Sequence, residues 1–422
     1  MSACIEPFDI GQEVGDSQNI LVVQATLTDE LKRHQILITR SLDLESVNKL
    51  GIPPYDPNTP MRPIDTLITY EQNASVSIVD NLGNNYPFSE AQPGLYISTS
   101  DFAAQNGIEY TLNIDTQDGT NYRSRPERFT STAVLEDVRA ERNRNAEGVE
   151  GLTLYVDGRG NDTDAKYYRY TYDETYKIIA PEWKPEDFKL TNYDPCALPQ
   201  ITYDLEIIER DESEGKVCYN TVGSTDIIQG STVEFRENSI AHFPIRFIDR
   251  NNFIITHRYS ILVRQYVQTQ EAYGYYQALN DFSASESIFS DVQPGFLDGN
   301  ISIVGDDEKK VLGYFEVASV DEKRIFFNYE DFFPNEPLPD YPVACFVTSA
   351  PLEHVSYCFT GEVANPCPLS IVEAVNAGGL IAYYGLNDEN IGACPGPYLV
   401  TYRACGDCTE LGESEVPDFW IE

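Results

Sequence analysis

The chain has 422 residues, 41% of them hydrophobic, and 29 Lys and Arg against 68 Asp and Glu give it a formal net charge of −39. That length exceeds one typical core and predicts two or three domains. The charge repels nucleic-acid backbones and anionic membrane faces, so nucleic acid is not an expected partner, and no apolar run reaches the roughly 18 residues that a spanning helix needs.

Residues 1–18 read as a tether. Ser2-Ala3-Cys4 matches the end of a bacterial lipobox, in which small residues precede a cysteine whose thiol receives diacylglycerol. Cys4 is therefore the expected lipidation site, and two or three acyl chains give stable anchoring at ~0.8 kcal/mol per buried CH₂. The charged and apolar regions of a signal peptide do not stand before it, so export is expected to need them from elsewhere. The polar residues 5–18 suit a flexible connection to the first domain.

Ile20-Leu21-Val22-Val23 opens a strand-rich region. Val76 and Ile78 alternate with Ser75 and Ser77, and Tyr110, Leu112 and Ile114 alternate with Thr111, Asn113 and Asp115 before an Asp118-Gly119 turn. Short alternating runs at this spacing predict an immunoglobulin-like β-sandwich over 19–135, with Pro53 to Arg62 as an extended loop. The charged stretch Arg139 to Glu150 reads as the separator from a second β-rich domain over 150–345. There Leu152–Val156, Tyr167–Tyr172, Ala241–Ile248, Phe253–Gln268, Asn300–Val304, Val311–Ala318 and Arg324–Asn328 have strand composition, and Ile201 to Ile208, flanked by Cys196 and Cys218, reads as a loop or hairpin for a disulfide to staple. A short helix is predicted near 269–282, capped by Thr269, with Ala272, Tyr275, Tyr276, Leu279 and Phe282 as its apolar stripe. Residues 346–422 form a cysteine-rich, loop-rich segment expected to pack on the second domain, with a second helix over Pro368–Val375. The fold class is thus mainly β, with one or two short helices.

Nine cysteines are present, and setting Cys4 aside leaves Cys196, Cys218, Cys345, Cys358, Cys367, Cys394, Cys405 and Cys408. An even remainder fits disulfides in an oxidising compartment. The pairings expected are Cys196 with Cys218, Cys345 with Cys394, Cys358 with Cys367, and Cys405 with Cys408. The acidic residues after Cys408 disfavour a thiolate, so Cys405-Gly406-Asp407-Cys408 is not read as a redox centre. His34, His242, His257 and His354 are too far apart in sequence for a short ligand motif. The one metal candidate is a weak calcium turn in which Asp157, Asn161, Asp162 and Asp164 supply oxygens of the right hardness. No cofactor is expected beyond such a structural calcium ion. No nucleophile elbow or phosphate loop occurs, no catalytic residue is assigned, and the chain is read as a non-enzyme.

Several segments carry a family resemblance: Cys4-Ile5-Glu6-Pro7-Phe8; Tyr110-x-Leu112-x-Ile114 with Asp118-Gly119-x-x-Tyr122-x-Ser124; Tyr167-Tyr168-Arg169-Tyr170; Arg258 to Val263; Val311-Leu312-Gly313-Tyr314-Phe315; and Cys405-Gly406-Asp407-Cys408 with Pro417-Asp418-Phe419-Trp420. On these the chain resembles a family of Bacteroidota outer-membrane lipoproteins defined as the domain of unknown function numbered 4249. The resemblance implies a surface lipoprotein held in the outer membrane through Cys4 and partnered with a β-barrel protein, a TonB-dependent transporter. It carries no catalytic residues. The expected function is a non-enzymatic accessory subunit of such a barrel complex. The alternative is an independent glycan- or peptide-binding surface lipoprotein, using Tyr167–Tyr172, Tyr273, Tyr275 and Tyr276 as an exposed platform.

Overall fold

A computed structural model describes residues 20–41, 69–197, 201–211, 213–284, 297, 299–306, 309–353, 370–390 and 395–422, and its architecture is mainly β. Cys4, the tether after it, the Pro53–Arg62 loop, Cys358, Cys367, Cys394 and Pro368 lie outside the described residues.

Alternation builds the first module. Val76 and Ile78 on the strand Ser75–Asp80 are buried, as are Tyr110, Leu112 and Ile114 on Tyr110–Asp115. They join Leu21, Val23, Ala25 and Leu27 of Leu21–Thr28 in one apolar core. The sheet runs from Leu312–Asn328 through Leu21–Thr28, Gln35–Arg40, Leu95–Ser98, Asn85–Gln92, Ser75–Asp80, Tyr110–Asp115 and Asn121–Ser124 to Ile301–Ile303. It folds back on itself, and the buried Asn300 amide links its ends. Asn300 Nδ2 donates to the carbonyl of Phe315, and its Oδ1 accepts from the Phe315 N–H, both at 2.8 Å. The two strands that bring these residues together are thereby tied by one side chain that imitates a ladder pair.

The runs Val311–Ala318 and Arg324–Asn328, expected as separate strands, form one strand, Leu312–Asn328. Its first half pairs in parallel with Leu21–Thr28, from Val22 opposite Leu312 to Thr28 opposite Ala318. Its second half pairs antiparallel with Arg258–Gln268, from Val267 opposite Ser319 to Arg258 opposite Asn328. Residues 301–303 and 312–318, expected in the second domain, are therefore hydrogen-bonded into the first module's sheet. The polar Ser319–Lys323 stretch that reads as a break is where the strand passes between modules. There Asp29 accepts the N–H of Val320 and Asp321 accepts that of Leu135.

The second module is a sandwich. One layer contains Tyr167–Ile179, Arg258–Gln268 and the second half of Leu312–Asn328; the other is Ser239–Asp249, Glu150–Gly160 and Ala133–Arg144. Tyr168, Tyr170, Tyr172, Ile261 and Val263 meet Leu152, Leu154 and Val156 between them. The charged Arg139–Glu150 stretch is not a linker: it holds the end of one strand and the turn of a hairpin. Leu135 and Val138 face the core, whereas Arg139 pairs with Asp157 and Arg142 with Glu150 across the ladder, so the charges mark a solvent-facing side. Phe253–Ile255 is a short 3₁₀ turn rather than the beginning of a strand.

The helix near 269 spans Gln270–Ala284, and Thr269 Oγ1 accepts the N–H of Ala272 at 3.1 Å. Ala272 and Tyr275 pack against Tyr314. The second helix is Ile371–Asn376, where Ser370 and Glu373 form a reciprocal capping box. In the C-terminal region, Phe188 of the hairpin Glu186–Asp194/Thr202–Glu209 packs with Ile371, Tyr383 and Val400.

The disulfides correct the expected pairings. Cys218 bonds Cys408 and Cys345 bonds Cys405, so neither Cys405–Cys408, Cys345–Cys394 nor Cys196–Cys218 forms. Cys196 is disulfide-bonded too, to a cysteine other than these four. Local proximity is the wrong guide here because Cys405 lies within the short helix Arg403–Gly406, while Cys408 opens the next turn and meets a different layer. Between them Asp407 is buried, accepting from Arg210 Nη1 at 3.2 Å, from Arg403, and from the N–H of Thr409 at 3.0 Å.

Candidate functional site

A strand that alternates tyrosines sends every second ring under the opposing layer. Tyr168, Tyr170 and Tyr172 lie in the sandwich core, which leaves Tyr167, Arg169 and Thr171 on the other face. The Arg169 guanidinium lies over the rings of Tyr266, at 4.4 Å, and Tyr276, at 4.9 Å. Tyr266 is its direct partner on the neighbouring strand, and Tyr276 comes from the helix Gln270–Ala284.

Arg169 Nη2 donates to the carboxylate of Glu316, on the half of the long strand that belongs to the first module. Glu316 is fully engaged: Gln268 Nε2 donates to its Oε1 at 2.7 Å, and Thr26 Oγ1 donates to its Oε2 at 3.4 Å. Burial opposes the charge on Arg169, but the neighbouring Glu316, Tyr276 and Tyr266 outweigh it and hold the guanidinium above its ordinary pKa. Burial, with the adjacent Glu316, pushes the Tyr276 phenol up, and burial raises that of Tyr275 to about 12. All three groups keep their protons at neutral pH. Arg169 Nε is buried and has no hydrogen-bond partner among the described residues.

Beside this cluster a cleft of about 740 Å³ opens between the modules. One wall is Val22, Gln24 and Thr26 with Gln35 and Leu37; the other holds Arg169, Tyr275, Tyr276 and Leu279, with Ser224–Ile227 at the rim. Junctions between domains are common places for ligand sites. The cleft offers carboxamides, hydroxyls, phenols and the rim carboxylate of Asp226, while the Arg169 guanidinium is already neutralised by Glu316. That donor set can hold a polar neutral or cationic group; Glu316, saturated by three donors, is not free to act as a general base.

The expected aromatic platform does not form. Tyr168, Tyr170, Tyr172 and Tyr275 are buried, and Tyr167 meets Tyr273 at 4.9 Å with the rings tilted by 41° rather than coplanar. The turn proposed for calcium does not converge either. Asp157 accepts the His242 N–H at 2.6 Å and pairs with Arg139, while Asn161 Nδ2 donates to Thr132. Asp162 accepts the N–H groups of Asp164 and Ala165. Among the described residues no three His, Cys, Asp or Glu side chains are grouped to hold a metal ion. Of the histidines, His34 is buried against Phe102 and His242 packs edge-on to Tyr155 at 3.8 Å. His354 lies outside the described residues.

Sequence reasoning missed the cleft because its decisive pair is separated by 147 positions. One signal was present: Glu316 is a lone acid within Tyr314-Phe315-Glu316-Val317-Ala318, where an unpaired charge would be costly.

The sequence model of a family described as "Domain of unknown function (DUF4249)" matches residues 5–324, and no curated protein matches the chain. The matched segment contains Arg169, Tyr276, Glu316 and both walls of the cleft, and it ends inside the strand that joins the modules. The chain belongs to the DUF4249 family.

Proposed function

We propose that this protein is a lipid-anchored, non-enzymatic accessory subunit of an outer-membrane β-barrel complex, a TonB-dependent transporter, displayed at the cell surface through Cys4. The observation that carries the reading is the shared strand Leu312–Asn328, which makes two β modules one stiff frame around an open cleft. Modules joined through one continuous, doubly paired strand suit a subunit that presents a fixed binding surface beside a larger partner. The lipobox at Ser2-Ala3-Cys4 supplies the anchor. The acidity suits an extracellular surface that must stay soluble and meet basic partner loops.

The test is affinity isolation of the native protein, expressed with a full signal peptide, from membranes solubilised in mild detergent. The proposal expects a β-barrel protein to co-purify in near-equal amount, and a Cys4→Ala variant to appear in the soluble fraction. Recovery of the chain alone from the detergent extract would overturn it.

A further inference from the structure

The hairpin Glu186–Asp194/Thr202–Glu209 is a two-stranded sheet whose outer strand, Thr202–Glu209, pairs among the described residues only with Glu186–Asp194. Arg210 donates its N–H to the carbonyl of Pro185 at 2.8 Å, which marks that opposed pair as hydrogen-bonded. Antiparallel alternation then turns the N–H and C=O groups of Leu205, Ile207 and Glu209 away from the hairpin. The strand is mostly exposed along its length, with Ile207 and Ile208 each 38% accessible. Such an edge is a ready template for another strand.

Its charge limits what can pair there. Asp204, Glu206 and Glu209 give the strand three carboxylates and no cation. Arg210, next in sequence, is turned to the buried Asp187 and Asp407. Lys189 stands opposite Glu206 in the ladder without forming a salt bridge to it. A second copy of this edge would bring like charges together, so the same residues that discourage self-pairing favour a basic strand.

We propose that Thr202–Glu209 is a docking edge for an extended Lys- or Arg-bearing segment of another protein, which adds to the hairpin as a third strand. Main-chain bonds to Leu205, Ile207 and Glu209 supply the pairing. Glu206 and Glu209 select cations, and Ile207 and Ile208 contact apolar residues on opposite faces. This inference stands apart from the lipid anchor and from the identity of any barrel.

Hydrogen exchange resolved to single amides in the full chain tests it, with a capped decapeptide of Lys, Val and Thr as probe and its Glu-for-Lys counterpart as control. The Lys peptide is expected to slow exchange at Leu205, Ile207 and Glu209 by about tenfold or more, leaving distant strands unchanged. The Glu peptide has no such effect. Ile207→Pro, which removes an outward N–H and no ladder bond, abolishes the response. The double charge reversal Glu206→Lys with Glu209→Lys keeps the strand and transfers the response to the Glu peptide. The proposal is overturned if the Lys peptide leaves these amides unchanged, or if charge reversal fails to switch the preference. It is equally overturned if the free chain already protects them, independently of concentration for a segment of its own or with rising concentration for a second copy.

Discussion

The guanidinium of Arg169 and the carboxylate of Glu316 meet across the junction of the two modules, one from each, over a sequence separation of 147. Their side chains are 12% and 1% exposed. Removing one partner leaves a buried charge uncompensated, whereas replacing both by apolar residues removes the desolvation cost as well. Arg169→Met alone is expected to cost about 3–5 kcal/mol, and Arg169→Met with Glu316→Met to recover most of that loss. Urea denaturation of the two variants checks this; a double variant no more stable than the single one would contradict it.

Gly313 lies where the shared strand first touches the first module. Its φ of +143° is rarely open to residues with a side chain, and an added Cβ would stand 2.3 Å from the carbonyl oxygen of Val23. Gly299 faces it so closely that a Cβ there would meet the Gly313 oxygen at 1.8 Å. Gly313→Ala is expected to lose about 1–3 kcal/mol or more. The loss should appear as one lowered unfolding transition, since the strand serves both modules. Gly385→Ala, which meets nothing within 4 Å, is the neutral control.

The disulfides reach across the fold. Cys218–Cys408 closes a separation of 190 residues and Cys345–Cys405 one of 60. Peptide mapping without reduction should recover these two links and no Cys405–Cys408 loop. Cys218→Ser with Cys408→Ser is expected to cost about 2–5 kcal/mol and to loosen the C-terminal tail first. That tail is also held by Trp420 against Tyr219, by Arg258 bonding the Ile421 carbonyl, by Arg324 over the Phe419 ring and by Lys177 pairing with Glu422.

Burial holds His34 below its ordinary pKa, with a ring nitrogen 2.9 Å from the carbonyl of Phe102. The unfolded chain therefore takes the proton more readily. Stability from this residue is complete above about pH 6.5 and is lost as the pH falls from there through the lower folded value. His34→Gln should flatten the dependence of unfolding free energy on pH between about 7 and 5 relative to wild type. Equal slopes for the two proteins would contradict the assignment.

Local pattern carried much of the architecture. The alternation at Val76 and Ile78, the Thr269 cap and the tyrosine-rich strand each follow from neighbours a few residues away, and each forms as its spacing predicts. What was not legible depends on partners far along the chain. The polar residues Ser319–Lys323 resemble a loop until Asp29 and Leu135 are brought beside them. The arginines of 139–144 resemble a linker until Asp157 and Glu150 stand opposite. Disulfide pairing and the cleft are of the same kind, because separation in sequence says little about which layers a fold will stack.

The most direct test of the accessory role is chemical crosslinking of intact cells followed by identification of the linked peptides. Exposed lysines such as Lys309 and Lys189 provide the handles on this chain. The account predicts links from these lysines to surface loops of one outer-membrane β-barrel protein, lost when Cys4→Ala removes the anchor. Links confined to this chain or to copies of itself, with wild-type protein present at the cell surface, would contradict it.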